Sequence, residues 1–448
     1  MPNISSIFKA YDVRGKVGSE LTPEVSNVIG KAFSQWLDND LAVAVGYDMR
    51  PDSKALAEAL IKGLNEQGRD VMDIGEVTSD MVYFATGDNK LGGGVMITAS
   101  HNPGEYNGIK FCREEARPVG EDSGLFEVRD LAIKNDFKPA DKPGSVTQKD
   151  VVEDWINHVV SFVDLGGLTD IKVVVDAGNG MAGKIFPELE PYVPFNVSEL
   201  YFKLDGSFPN HIANPLVPEN LVDAQKAIKD IQADVGIAFD GDGDRAVLID
   251  EKGEPLSGTV MTALLAEYFL KKYPGSTILC NAMCGRAAIE TIESHGGKAI
   301  RTRVGHSFIK SDMRKYNAVF AGEHSGHYYF KDNYNADSGL IAAVIALYIL
   351  CKSKKKLSEL VAPYRNAYKQ VPEANFEVKD KQKVIDRIAL EFKDARQDKL
   401  DGLTVNFNNG WFNVRPSNTE PLLRLNVEAK TKDELDKLVS RVTKIITS

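Results

Sequence analysis

Three stretches of the chain repeat one order of signals, and that repeat restricts the fold more than any other feature. An apolar β-type run ends in a polar loop and a helical pattern follows. A second strand comes next, then a third that ends in another polar loop leading directly into a further strand. The first copy opens with L-A-V-A-V-G-Y-D-M-R (41–50) and closes with G-G-G-V-M-I-T-A-S-H-N-P (92–103). The second opens with I-K-V-V-V-D-A-G-N-G (171–180) and closes with V-G-I-A-F-D-G-D-G-D-R (235–245). The third opens with S-T-I-L-C-N-A-M-C-G-R (276–286) and closes with A-V-F-A-G-E-H-S-G-H (318–327). In the first copy the helical pattern puts Ser53 at the N-cap and Ala55, Leu56, Ala59, Leu60 and Leu64 on one face. Strands alternating with helices predict βαβ units and mostly parallel sheets.

The repeat predicts three similar α/β domains with mixed, mostly parallel sheets, over residues 1–150, 151–253 and 254–368. The Pro- and Lys-containing stretch 138–147 is the expected connector after the first, and the region 251–256 separates the second from the third. Residues 369–448 differ. Leu403–Val414 and Leu422–Ala429 read as strands, and Thr431 with Glu434 forms a capping box before a last helix, predicting a smaller C-terminal α+β domain.

Apolar residues make up 43% of the 448 and charged residues 26%, the composition of an ordinary soluble globular protein. A net charge of −10 argues against nucleic acid or an anionic membrane as partner, since both demand clustered Lys and Arg. It leaves room for a small phosphorylated ligand held by a few local cations. Cys112, Cys280, Cys284 and Cys351 are scattered and lack metal spacing, so reduced thiols are expected. The first ten residues hold no signal-type apolar core, and the longest apolar run, 340–351, is too short for a bilayer and reads as a buried helix. A cytoplasmic location is expected, and nothing in the sequence implies an oligomer.

Four polar loops stand just after strands, one per domain, and ligand sites in open α/β sheets lie at the carboxyl ends of strands. One central cleft where the four loops meet is therefore expected. Asp240-Gly-Asp242-Gly-Asp244 sets three carboxylates at alternate positions, a charge density that needs a cation, and hard oxygen donors suit Mg²⁺. An EF-hand loop is disfavoured because Arg245 stands where glycine is required and strands flank the segment. Arg245 reads as a clamp for phosphate or hydroxyl oxygens. Ser100 sits in a turn with His101 and, further on, Lys110; beside a metal loop it is the candidate phosphoryl carrier. Glu323 and Ser325 fall on one side of an extended chain by period-2 alternation, with His327 the next member, an array for sugar hydroxyls. Arg415, Ser417, Asn418 and Thr419 suit phosphate oxygens. His306 is a lesser candidate, and His158, His211 and His295 read as structural.

Taken together, Y-D-V-R-G (11–15), T-A-S-H-N-P, D-G-D-G-D-R, G-E-H-S-G-H and R-P-S-N-T-E-P (415–421) resemble the α-D-phosphohexomutase superfamily, in particular its phosphomannomutase/phosphoglucomutase branch. The match spans essentially the whole chain with the motifs in family order. The resemblance implies a heart-shaped four-domain fold and a hexose 6-phosphate/hexose 1-phosphate mutase acting on mannose and/or glucose. It implies a phosphorylated Ser100, and one Mg²⁺ per chain held by Asp240, Asp242, Asp244 and that phosphate. It further implies a hexose 1,6-bisphosphate intermediate that also serves as activator. Tyr11 and Arg14 would lie near the phosphoserine and Arg245 beside the metal loop. Lys110 would transfer a proton or stabilise charge, with His327 a second proton-transfer candidate. Glu323 and Ser325 would grip sugar hydroxyls, His306 would assist at the sugar, and Arg415, Ser417, Asn418 and Thr419 would hold the phosphate that is not transferred. Some members carry a substrate-binding lysine where this chain has Met283, which leaves Arg286 as the replacement cation. Phosphoglucosamine mutase and a Mg²⁺-dependent sugar-phosphate phosphatase are the alternative activities.

Overall fold

A computed structural model describes residues 4–417 and 422–448. The threefold sequence repeat becomes a threefold structural one. In the first domain Val43–Tyr47 lies between Val71–Glu76 and Gly93–Ile97, parallel to both, and Tyr106–Arg113 returns antiparallel beside Gly93–Ile97. The second domain repeats this with Lys172–Asp176 between Asn196–Leu200 and Val235–Phe239, and Ala246–Asp250 returning. The third does so with Thr277–Asn281 between Lys298–Thr302 and Phe320–Gly322, and Tyr328–Phe330 returning. Each sheet is thus parallel at its centre and antiparallel at one side. The parallel strands read as unbroken apolar runs because helices cover both faces, and Gly93–Ile97 and Val235–Phe239 are buried at every position.

The first sheet is extended by Val13–Lys16 at one edge and by Val146–Gln148 at the other. The second of these lies in the stretch expected to be a connector; its backbone pairs with Val71–Asp73. In the helix Ser53–Glu66, Asp52 takes the N-cap position and Ser53 is the first helical residue, its hydroxyl donating to Asp48 instead of capping. Leu56, Ala57, Leu60, Gly63 and Leu64 face the core, whereas Ala55 is exposed, because the stripe follows the 3.6-residue turn one position over.

The helix Gly339–Ser353 starts at an N-cap, Ser338, whose hydroxyl accepts from the Ile341 amide. It is apolar all round and correspondingly buried, the expectation for a helix inside a large protein. Its side chains join one continuous core drawn from all three α/β domains, including Met96, Trp155, Val175, Ile237, Phe320 and Tyr328. The C-terminal domain is built differently. Its strands are all antiparallel, in the order Lys369–Gln370, Leu422–Ala429, Gly410–Pro416, Leu403–Phe407, Arg396–Asp398, and Lys381–Glu391 and Lys432–Thr447 cover one face. Thr431 and Glu434 form the expected capping box. This domain has a separate core, including Ile388, Val405, Phe412, Leu425 and Val442. Three domains thus share a core, while the fourth has its own. Among the described residues no helix is long and apolar enough to cross a membrane.

Candidate active site

The turn after Gly93–Ile97 and the loop after Val235–Phe239 lie directly against each other. Gly241 passes so close to the serine turn that a Cβ there would sit 2.4 Å from the Ser100 carbonyl oxygen, and Gly243 has φ +76°. Both positions therefore require glycine. Ser100 itself is held at φ +49°, a left-handed conformation that costs a non-glycine residue about 1–3 kcal/mol. The Thr98 hydroxyl accepts from its amide at 2.8 Å. Its own Oγ donates to Asp240 Oδ2 at 2.6 Å and lies 3.1 Å from His101 Nδ1 and 3.3 Å from Arg245 Nη2.

Asp240, Asp242 and Asp244 are all buried, and one ligand oxygen of each lies within 4.8 Å of those of the others. Two cations compensate them. Lys110 comes from the strand antiparallel to Gly93–Ile97, opposite Met96; it donates to Asp242 Oδ2 at 2.7 Å and to Asp244 Oδ2 at 2.6 Å. Arg245 Nε lies 3.3 Å from Asp240 Oδ2. Burial, then Asp244 and Asp242, push the Asp240 carboxyl well up, whereas at Asp242 the Lys110 ammonium and the Ser79 hydroxyl outweigh burial and hold the carboxyl low. No hydrogen-bond donor among the described residues reaches Asp242 Oδ1 or Asp244 Oδ1. Buried carboxylate oxygens left in this state fit a hard divalent cation.

The third loop approaches Asp244. His327 makes a backbone bridge to Arg245, and its Nε2 lies 3.5 Å from Asp244 Oδ1 while Nδ1 lies 3.0 Å from Ser325 Oγ. Burial, and next the Arg245 charge, push the His327 imidazole well below the usual histidine range, so it is neutral near pH 7. The expected extended run here is replaced by a tight turn: the Gly326 amide donates to Glu323 O and the Glu323 amide to His327 O. Glu323 and Ser325 consequently do not share a side by strand alternation. Glu323 is buried and accepts from Tyr329 and from Asn281 Nδ2, while Ser325 turns to His327.

Tyr11 meets His306 edge-on at 5.0 Å, and Arg14 donates to Asn102 Oδ1 of the serine turn and to Asp12. Arg415, at the end of Gly410–Pro416, is buried against Glu373, with Nη2 3.3 Å from Oε2. Ser417 is buried beside it; Asn418 and Thr419 lie outside the described residues. Arg286 is not in the cleft. Its guanidinium donates to the carbonyls of Phe407, Asn408 and Gly410 and ties the third domain to the fourth, so it does not stand in for the lysine.

Four family models cover the chain in order: phosphoglucomutase/phosphomannomutase α/β/α domain I over residues 5–138, domain II over 153–253, domain III over 257–367 and the C-terminal domain over 373–445. This chain belongs to the phosphoglucomutase/phosphomannomutase family. A phosphomannomutase of Vibrio cholerae is 39% identical over 98% of both chains, and a protein of Xanthomonas campestris described as phosphohexose mutases is 40% identical over 94% of this chain and 95% of its own. The crystal structure of a phosphoglucomutase/phosphomannomutase family protein from Burkholderia thailandensis superposes with a TM-score of 0.91 at 33% identity, covering 99% of this chain and 97% of that one.

Within this phosphoglucomutase/phosphomannomutase chain, two residues that the sequence reading passed over support the site, one at the serine turn and one at the acidic loop. Arg50 is buried and its guanidinium donates to the carbonyls of Ser100 (2.8 Å), Asn102 (2.6 Å), Pro103 (2.9 Å) and Tyr106 (2.8 Å), with Asp48 Oδ2 3.3 Å from Nε. Ser79 reaches Asp242 from the first domain. The D-M-R at the end of the first strand is the signal that could have exposed Arg50, because a charged pair at a strand's carboxyl end sits where sites form. Arg50→Lys retains the charge but cannot span four carbonyls. We expect kcat to fall about 100-fold, the cost of misplacing a reacting group by ~1 Å, and the melting temperature to drop as buried carbonyls lose their donors. Steady-state kinetics beside thermal melts check this, and an unaltered kcat would remove Arg50 from the positioning role.

Proposed function

We propose that the protein is a phosphohexomutase interconverting hexose 6-phosphate and hexose 1-phosphate, with Ser100 as the phosphoryl carrier. The observation that carries this reading is the placement of Ser100 Oγ 2.6 Å from one of three buried, clustered carboxylates, with Arg245 at 3.3 Å. Asp240, Asp242 and Asp244 would hold a magnesium ion, whose charge offsets that of phosphoryl oxygens. In the dephosphorylated state Ser100 Oγ gives its proton to Asp240 as a hydrogen bond. In the phosphorylated enzyme, breaking the Ser100 Oγ–P bond while a sugar O–P bond forms produces the hexose 1,6-bisphosphate, and the return step uses the other phosphoryl group. The loose transition state spreads charge over the equatorial oxygens, where Lys110 and Arg245 are available to meet it.

The proton of the attacking sugar hydroxyl needs an acceptor. His327 is neutral, and with its Nδ1–H donating to Ser325 Oγ the accepting atom is Nε2; Asp244, 3.5 Å away, steadies the imidazolium that results. Tyr11, Arg14, His306 and Glu323 border the same space, and Arg415 with Ser417, Asn418 and Thr419 would grip the phosphate that stays on the sugar. Closure of the separately cored fourth domain would keep water from the phosphoserine. The names of the relatives support mannose and glucose phosphates as substrates. The test is intact-mass measurement for one phosphoryl group together with turnover of mannose 1-phosphate and glucose 1-phosphate. Isomer formation with no net inorganic phosphate supports the mutase; phosphate release without isomer would make the protein a phosphatase.

A further inference from the structure

Arg415 and Arg424 lie directly opposite each other on neighbouring antiparallel strands. Like charges in that position repel. Here both turn onto one carboxylate. Glu373 lies within the fourth domain, between Lys369–Gln370 and Ala374–Glu377, both of which pair with Leu422–Ala429; its Oε2 is 3.3 Å from Arg415 Nη2 and its Oε1 3.1 Å from Arg424 Nη1. Asn426 Nδ2 adds a donor to Oε2 at 2.8 Å. Burial acts against the Glu373 charge, but Arg415, Asn426, His324 and Arg424 outweigh it and keep the carboxyl below its ordinary range. A carboxylate gripped at both oxygens by two guanidiniums occupies the arrangement that suits two oxygens of a phosphate. The same corner holds Met283, whose Sδ accepts from Asn426 Nδ2 at 3.3 Å, so the third domain supplies no lysine there.

We infer that Glu373 is an internal stand-in for the phosphate that stays on the sugar, holding Arg415 and Arg424 together and yielding them to an arriving phosphate. The proposal rests on the mutase reading for the identity of the phosphate ester, but not for the competition itself. A dianion displaces a single carboxylate from two guanidiniums; a neutral sugar does not, so the device selects phosphorylated hexoses.

The test is calorimetric titration of the full chain, wild type, Glu373→Gln and Arg424→Gln, with inorganic phosphate and separately with mannose 1-phosphate. Glu373→Gln keeps the shape and removes the competing charge, so inorganic phosphate should bind about tenfold more tightly. Arg424→Gln should weaken phosphate binding about tenfold by losing a charge-assisted pair. Equal or weaker phosphate binding in Glu373→Gln, in protein that melts like wild type, would overturn the stand-in role. Unchanged binding in Arg424→Gln would overturn the two-arginine grip that Glu373 is inferred to share with the phosphate. If Glu373→Gln itself melts early, Glu373→Asp, whose shorter side chain loosens the grip, should still tighten phosphate binding, and failure to do so overturns the role. Inorganic phosphate reports on the arginine pair whether or not the protein turns over hexose phosphates, so loss of the mutase reading would leave these outcomes readable.

Discussion

Ser100→Ala should lower kcat by at least about 10³-fold, or ~4 kcal/mol of transition-state stabilisation, while leaving the fold intact. The substitution removes the atom proposed to carry the phosphoryl group, the hydroxyl oxygen held against Asp240. Structurally the loss is small. Ser100 Oγ gives one hydrogen bond to Asp240, whose other oxygen still accepts from the Arg245 amide, and the turn's backbone is held by Arg50 and Thr98 rather than by the hydroxyl. Intact-mass measurement should find the variant without the phosphoryl group, and its melting temperature should stay close to that of the parent. Near-normal turnover of the variant in the presence of a hexose 1,6-bisphosphate would end the phosphoserine account.

Lys110→Met should give the second large effect, and on both stability and rate. The ammonium lies between Asp242 and Asp244, with all three side chains nearly inaccessible. Taking away one partner of a buried ion pair leaves an uncompensated charge and costs about 3–5 kcal/mol. The expected result is a marked drop in melting temperature in chelator, largely recovered by millimolar magnesium, because a divalent ion on the same carboxylates replaces the missing charge and binds only the folded state. The parent, with Lys110 in place, should gain less from magnesium. Activity should fall about 10²–10³-fold even with metal, the usual loss when a preorganised charge is removed from a transition state. A variant that melts like the parent in chelator, or that shows no response to magnesium, would refute the charge arrangement described for the acidic loop.

Some corrections follow from how side chains meet in space. Period-2 alternation placed Glu323, Ser325 and His327 in a row, yet a turn at 323–326 sends Glu323 to Tyr329 and Asn281 and Ser325 to His327. Alternation holds only while the chain remains extended, and Gly326 at φ +82° ends that. Arg286 was the cation nearest in sequence to Met283, yet it faces the carbonyls of the fourth domain. Glu373 and Arg424 carried no local motif, and Arg50 only the D-M-R that ends the first strand. Their importance comes from partners 42 or more positions away, or from the opposite strand, and spacing along the chain does not record such pairings.

The residue pattern alone determined the three repeated α/β units, the apolar central helix, the distinct last domain, and the serine and triple-aspartate loops. Each of these is written locally, in apolar periodicity, glycine placement and the residues that end a strand. Only the tertiary structure decided that the serine turn rests on Gly241, that Lys110 crosses from one domain to neutralise carboxylates of another, and that Glu373 closes on two opposed arginines. Those outcomes depend on which buried charges lie within a few ångströms of each other once the domains pack, and burial makes a charge find a partner wherever the chain brings one.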